Sequence, residues 1–248
     1  GKTLLGCTMV PSENDKAVEE GDPDLDPLFS SRADIVAKSR AGEGSISNSL
    51  KQAAGVLLPI PVLIAASRTA FFNAVPDADN IVRSNPLIWA YGNHIYPSMA
   101  LEAVMLYRKI PKCVVSYDKH GVFDLKIGKE GKAVPVDKWA RMTINYRKIR
   151  EDSPVGFSCS FPSIPAMDVL EKKAPASTFA NKIVLIGASA TGLKDVKASP
   201  LTQFFSGVEV HATLIDNMLA GDILSNPQEF VAVHALCIIL MGVFLTLF

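Results

Sequence analysis

Four side chains near the C-terminal third could do chemistry together: Ser189, Thr191, Asp195 and His211. Ser189 and Thr191 fall in the turn Gly187-Ala188-Ser189-Ala190-Thr191-Gly192, directly after the apolar run of NKIVLIGA at 181–188. Three known uses of such a turn can be compared with it. A dinucleotide fingerprint needs a second glycine where Ser189 stands. A phosphate loop ends in Gly-Lys-Ser/Thr, but Gly192 is followed by Leu193 and Lys194. A nucleophile elbow needs glycine at position 191, which is threonine. What remains is a tight turn with backbone N–H groups and two hydroxyls, able to hold a small anion or to serve only as a turn. A Ser189–His211–Asp195 triad, and with it a membrane-tethered serine hydrolase, is the competing reading; nothing in the spacing specifies it. No catalytic residue and no cofactor motif is assigned.

Other reactive residues are scattered. Cys7, Cys113, Cys159 and Cys237 show no Cys-x-x-Cys spacing, so they read as small apolar residues rather than zinc ligands. Asp22, Asp24 and Asp26 lack the glycine and glutamate that complete a calcium loop. His94 and His120 sit in turn-rich contexts and read as solvent-facing. The 25 basic and 25 acidic residues cancel, and no basic run is interleaved with aromatics, which argues against nucleic acid.

The elements that must position these groups follow from periodicity. Residues 3–10 read as a short buried strand, and 11–50 as a loop-rich insertion. Pro59 and Pro61 exclude a regular helix around Gly55–Pro61. Two apolar runs within 69–91 flank the turn-rich Pro76–Asn80 and suggest a hairpin. Residues 96–108 have helical spacing with Ser98 as N-cap. The stretches CVVSY, VFDLKIG, KAVPV and MTINYR within 112–149 alternate like strands. NKIVLIGA reads as a buried strand opening on a crevice, which would place Ser189, Thr191, Asp195 and His211 at its C-terminal end. Glu209 and His211, two apart, would share one face if on a strand. A helix covers 212–220, stopped by Gly221.

The segment from Phe230 to Phe248, FVAVHALCIILMGVFLTLF, contains no Asp, Glu, Lys or Arg. It reads as the start of a transmembrane helix of the about 20 apolar residues a span needs. Its direction of crossing cannot be read from flanking charge. The chain opens at Gly1 and ends within this apolar run, so a longer parent chain is expected. The fold class expected is α/β, a mixed sheet flanked by helices with a β-rich extension, followed by that helix. Residues 1–225 form the main domain and 230–248 the span.

Three separated stretches resemble one family in order: FFNAVPDADNIVRSNPLIWAYGNHIYPSMALEA at 71–103, TINYR at 143–147, and KIVLIGASATGLKDVKASPL at 182–201 followed by GVEVHATLIDNMLAGDIL at 207–224. Together they look like the CHASE domain of type two, a sensory extracellular domain associated with cyclases and histidine kinases. The resemblance implies a bacterial extracytoplasmic sensor of an unknown small-molecule or physical stimulus, homodimeric, held at the cell membrane. It further implies a cytoplasmic output domain: an adenylate or guanylate cyclase, or else a histidine or Ser/Thr kinase. The acidic stretch 11–50 is longer than the family's usual connection there.

Overall fold

The structure, a computed structural model, describes residues 3–12, 34–40, 46–92, 94–128, 131–150, 159–188, 195–225 and 229–247. Its architecture is mixed α/β, with several small sheets rather than one large one. One sheet centres on β1 (Leu4–Pro11), flanked by β3 (Ala53–Leu57) antiparallel and β4 (Arg68–Phe71) parallel. A second has the order β10 (Ala133–Val134), β9 (Gly121–Ile127), β8 (Lys112–Asp118), β2 (Asp34–Ser39). Three pairs complete the strands: β5 (Ser84–Pro86) with β11 (Arg141–Thr143), β6 (Ile88–Tyr91) with β7 (His94–Pro97), and β12 (Val196–Lys197) with β13 (Phe205–Ser206). The helices are α1 (Pro61–Ile64), α2 (Met99–Arg108), α3 (Ala166–Leu170), α4 (Gly207–Ala220) and α5 (Glu229–Leu247).

Local rules explain several of these elements. Ser98 Oγ accepts a hydrogen bond from Leu101 N at 3.3 Å, satisfying one of the orphan donors at the head of α2. Gly221, at φ 75°, ends α4 in the left-handed conformation that glycine adopts without strain. In β8, Cys113, Val115 and Tyr117 alternate inward, the period-2 signature of a half-buried strand. Pro61 opens α1 at its first turn, where a missing N–H costs nothing.

The main core lies between α2 (Leu101, Val104, Met105), α4 (Val210, Leu214, Ile215, Met218) and the inner face of β8 and β9 (Val115, Leu125). A second cluster gathers Cys7, Met9, Phe71, Trp89 and Tyr96, with Phe71 and Trp89 edge-to-face at 5.4 Å. Arg68 reaches the fully buried Glu102 at 2.7 Å and ties β4 to α2. Cys7, Cys113 and Cys159 are buried free thiols, as small apolar residues would be.

Three expectations change. The runs within 69–91 do not form a hairpin with each other. β4 pairs with β1, β5 with β11, and the hairpin is β6–β7 across Gly92 at φ 55°. Pro76–Asn80 does turn, closed by Asn80 N to Asp77 O at 2.9 Å. The supposed loop 11–50 contributes β2, which pairs in parallel with β8; residues 13–33, including Asp22, Asp24 and Asp26, lie outside the described residues. NKIVLIGA is not a strand: it opens in a turn with Asn181 at φ 57°, and no ladder pairs it among the described residues. Ile183 and Leu185 pack on the core, while Val184 and Ile186 on the other face are 50% and 93% exposed.

Candidate functional site

Of the four expected site residues, Ser189 and Thr191 lie outside the described residues; Asp195 and His211 are placed. His211 is on the first half of α4, and Asp195, just before β12, packs against that helix's first residue. Gly207 N donates to Asp195 O at 2.9 Å, and the Asp195 carboxylate presses so closely on Gly207 that a Cβ there would clash with it. Gly187 lies against Val208 in the same way. Gly187 and Asp195 therefore both stand on the first turn of α4. Burial raises the Asp195 carboxyl above its ordinary value, only partly opposed by Lys197.

His211 is buried one helical turn further on, with Nε2 2.7 Å from the carbonyl oxygen of Phe72. That oxygen can only accept, so Nε2 carries the proton. Nδ1 is buried without a partner. Burial holds the imidazole below its ordinary value, against a smaller opposing effect of the Phe72 bond. No hydrogen bond joins Asp195 to His211 among the described residues, so the imagined triad is not assembled there. Glu209 and His211 lie on a helix, not a strand, and point apart: Glu209 Oε2 accepts from Ser160 N at 2.8 Å. Burial raises the Glu209 carboxyl as well.

The C-terminal half of α4 carries a feature that sequence spacing did not reveal. Asn217, fully buried, accepts from Asn145 N at 2.9 Å through Oδ1 and donates to Asn145 O at 3.0 Å through Nδ2. Its amide thus mimics a neighbouring strand for residue 145. Asn145 Nδ2 donates to Asp222 O at 3.0 Å. Arg147 Nε donates to Asp216 at 2.6 Å, and its two terminal nitrogens grip Asp222 at 2.5 and 2.9 Å, which pushes the Asp222 carboxyl below its ordinary value. Thr143 bridges Leu224. Tyr146 donates to Val82 O at 2.7 Å and stacks edge-on against Phe205 at 5.3 Å. From the other side Arg108 donates to the Met218 and Leu219 carbonyls at 3.3 and 3.0 Å, satisfying acceptors the helix leaves open. The TINYR stretch is thus a clasp that binds 71–103 and 205–224 together. No spacing rule could have found Asn217; a buried amide near a helix end was the available hint.

The chain matches the family model of the CHASE2 domain over residues 5–247. It belongs to that family. CHASE2 domains are sensory, non-catalytic domains associated with signalling receptors. No curated protein and no solved structure matches the chain. In this CHASE2 domain the three motifs that carry the resemblance are the parts the clasp joins.

Two further features frame its function. α5 is 19 residues long, about 28 Å at the helical rise, slightly less than a hydrocarbon core of about 30 Å. Among the described residues no helix is long and apolar enough to cross a membrane, so the span expected at 230–248 is present as a helix but not shown as a crossing. Every described side chain from Val233 to Thr246 is exposed. A cavity of about 390 Å³ opens between residues 49–51, the β8–β9 turn and the residues before β11, lined in part by Lys51, Lys119, His120, Lys138, Trp139 and Arg141. Sequence reasoning missed it, because its walls come from three loops more than sixty positions apart at the extremes. Among the described residues no cluster of three or more His, Cys, Asp or Glu could hold a metal.

Proposed function

We propose that this chain is the extracytoplasmic sensory domain of a bacterial membrane receptor, and that α5 carries its state inward to a cytoplasmic output domain. A nucleotide cyclase is the first choice for that output and a histidine or Ser/Thr kinase the second. The observation that carries this is α5: a helix apolar on every side and uncovered on every described side needs a nonaqueous surrounding or a like partner. The membrane supplies the first, and homodimerisation supplies part of the second. The clasp supports the reading, since the family's second motif grips residues 216–224, the stretch leading into α5.

Ser189, Thr191, Asp195 and His211 are proposed to feel the stimulus, Asp195 lying beside the first turn of α4 and His211 on that helix. Asp195→Ala and His211→Ala should then alter the receptor's output without unfolding it; unchanged output in both removes this placement. The membrane reading is tested by reconstituting the chain in phospholipid vesicles. Burial pushes the Cys7 and Cys113 thiols up to about 12, and Cys159 is buried, so native labelling reports Cys237. The chain should resist alkaline extraction, and a charged maleimide should spare Cys237 in vesicles yet modify it in urea. Extraction into the wash, or equal labelling in both states, would refute it.

A further inference from the structure

We propose that the cavity beside β11 binds a small organic anion carrying two or more negative charges. Four cationic side chains line it (Lys51, Lys119, Lys138 and Arg141), together with His120, and no carboxylate does. The two acids that flank these residues in sequence are turned to the backbone. Asp118 Oδ1 accepts from His120 N at 2.7 Å, and Asp137 Oδ1 accepts from Trp139 N and Arg141 N at 2.9 and 2.8 Å. Neither Lys119 nor Lys138 is paired with a carboxylate among the described residues.

The backbone joins the segments that carry these cations. Val122 N donates to Lys138 O at 2.9 Å and joins the two turns that bear the lysines. Gly121 permits this: its φ of 126° suits only glycine, and a Cβ would strike the Lys138 carbonyl. Arg141 is set by Asp77, at 2.8 Å from Nη2, while its Nε is buried with no acceptor. Like charges confined around a concave space repel, and a polyanion relieves that repulsion where a neutral ligand does not. The volume of about 390 Å³ suits a small metabolite. Trp139, 49% exposed, with Leu50, Val75 and Pro86 in the same wall, offers apolar surface for a carbon skeleton. A bare inorganic ion would leave that surface unused.

The cavity also reaches the clasp. Arg141 begins β11, and two residues later Thr143 bridges Leu224 on the way to α5. What the anion does to signalling rests on the sensory reading; its binding does not.

The test is calorimetric titration of the full chain in detergent with citrate and with pyrophosphate, against acetate and sodium chloride at matched ionic strength. Citrate or pyrophosphate should bind with a dissociation constant below about 1 mM. Lys119→Ala/Lys138→Ala should weaken it at least tenfold with an unchanged melting temperature, and Asp195→Ala should leave it as it was. Preference for one probe assigns carboxylate or phosphate chemistry. No heat with either probe, equal affinity in the double variant, or an equal response to sodium chloride overturns the proposal. None of those results bears on the membrane test, so the two readings fail separately.

Discussion

Asn217→Ala separates a structural amide from an ordinary polar residue. The substitution removes two hydrogen bonds, each contributing about 1 kcal/mol net. It also strands the N–H and C=O of Asn145, which are only partly buried, so the desolvation penalty stays near the low end of about 1–3 kcal/mol. A total of about 2–4 kcal/mol follows. For a domain of this size each kcal/mol shifts the melting temperature by about 2–4 °C, so a fall of roughly 5–15 °C is expected. Asn145→Ala is the control. It deletes only the side-chain bond to Asp222 O and keeps the backbone groups that Asn217 pairs, so its cost is about 0.5–1 kcal/mol. Urea and thermal denaturation of both variants in the same detergent, followed by near-ultraviolet circular dichroism, supply the comparison. If Asn145→Ala costs as much as Asn217→Ala, residue 145 is not held through its backbone and the clasp is wrong.

The remaining predictions concern α4 and β4. Burial depresses the His211 imidazole from 6.5, so its contribution to stability is complete above about pH 6.5 and is lost as pH falls through the folded value. Glu209 and Asp195 have the opposite sign. Their folded values are raised, so their contribution is complete below the ordinary carboxylate range and fades as pH rises through those values. Urea midpoints between pH 4 and 8 (about the range of these groups) should therefore show a smaller acid-side fall in His211→Gln and a smaller alkaline-side fall in Glu209→Gln, Asp195 supplying the remainder. Gly207→Ala should cost about 1–3 kcal/mol by displacing the Asp195 carboxylate, yet be neutral or stabilising in an Asp195→Ala background; strict additivity in that double-mutant cycle would show that the two do not press on each other. Arg68→Ala leaves the buried Glu102 short of a cation and should cost about 2–3 kcal/mol, discounted because Arg68 is one-third exposed. Glu102→Gln should cost less, and the reverse order in denaturation would contradict that geometry.

Much of the local structure could be read in advance, because it depends on neighbours in sequence. Ser98 marked the start of α2 and Gly221 the end of α4, each through a bond or dihedral made within a turn. The inward alternation of Cys113, Val115 and Tyr117 marked β8. Pairing partners were not legible. Arg68–Phe71 has the same apolar pattern whether it meets β1, sixty-odd positions earlier, or its own downstream neighbour. β2 was hidden because the apolar residues of DIVAKS, Ile35, Val36 and Ala37, are consecutive rather than alternating, and none is fully buried in this outer strand of its sheet. NKIVLIGA misled in the other direction: its unbroken apolar run promised cover on both faces, and Ile186 has it on neither side of a ladder. Of the candidate site, the sequence placed Asp195 and His211 at the end of a strand, whereas Asp195 packs on the head of α4 and His211 is part of that helix. A buried Nε2 bonded to the Phe72 carbonyl depends on a contact 139 positions away in sequence.

The amide of Asn217 also fixes an azimuth. Neighbouring residues on an α-helix point about 100° apart, so a twist of α4 by one position would replace Asn217 with Met218 opposite the polar backbone of residue 145. Arg147 on Asp216 and Arg108 on the last carbonyls constrain the same end from other directions. A helix keyed in this way cannot spin about its axis without breaking several bonds at once. The end of α4 that leads towards residue 224 is thereby keyed in rotation against the 143–147 stretch.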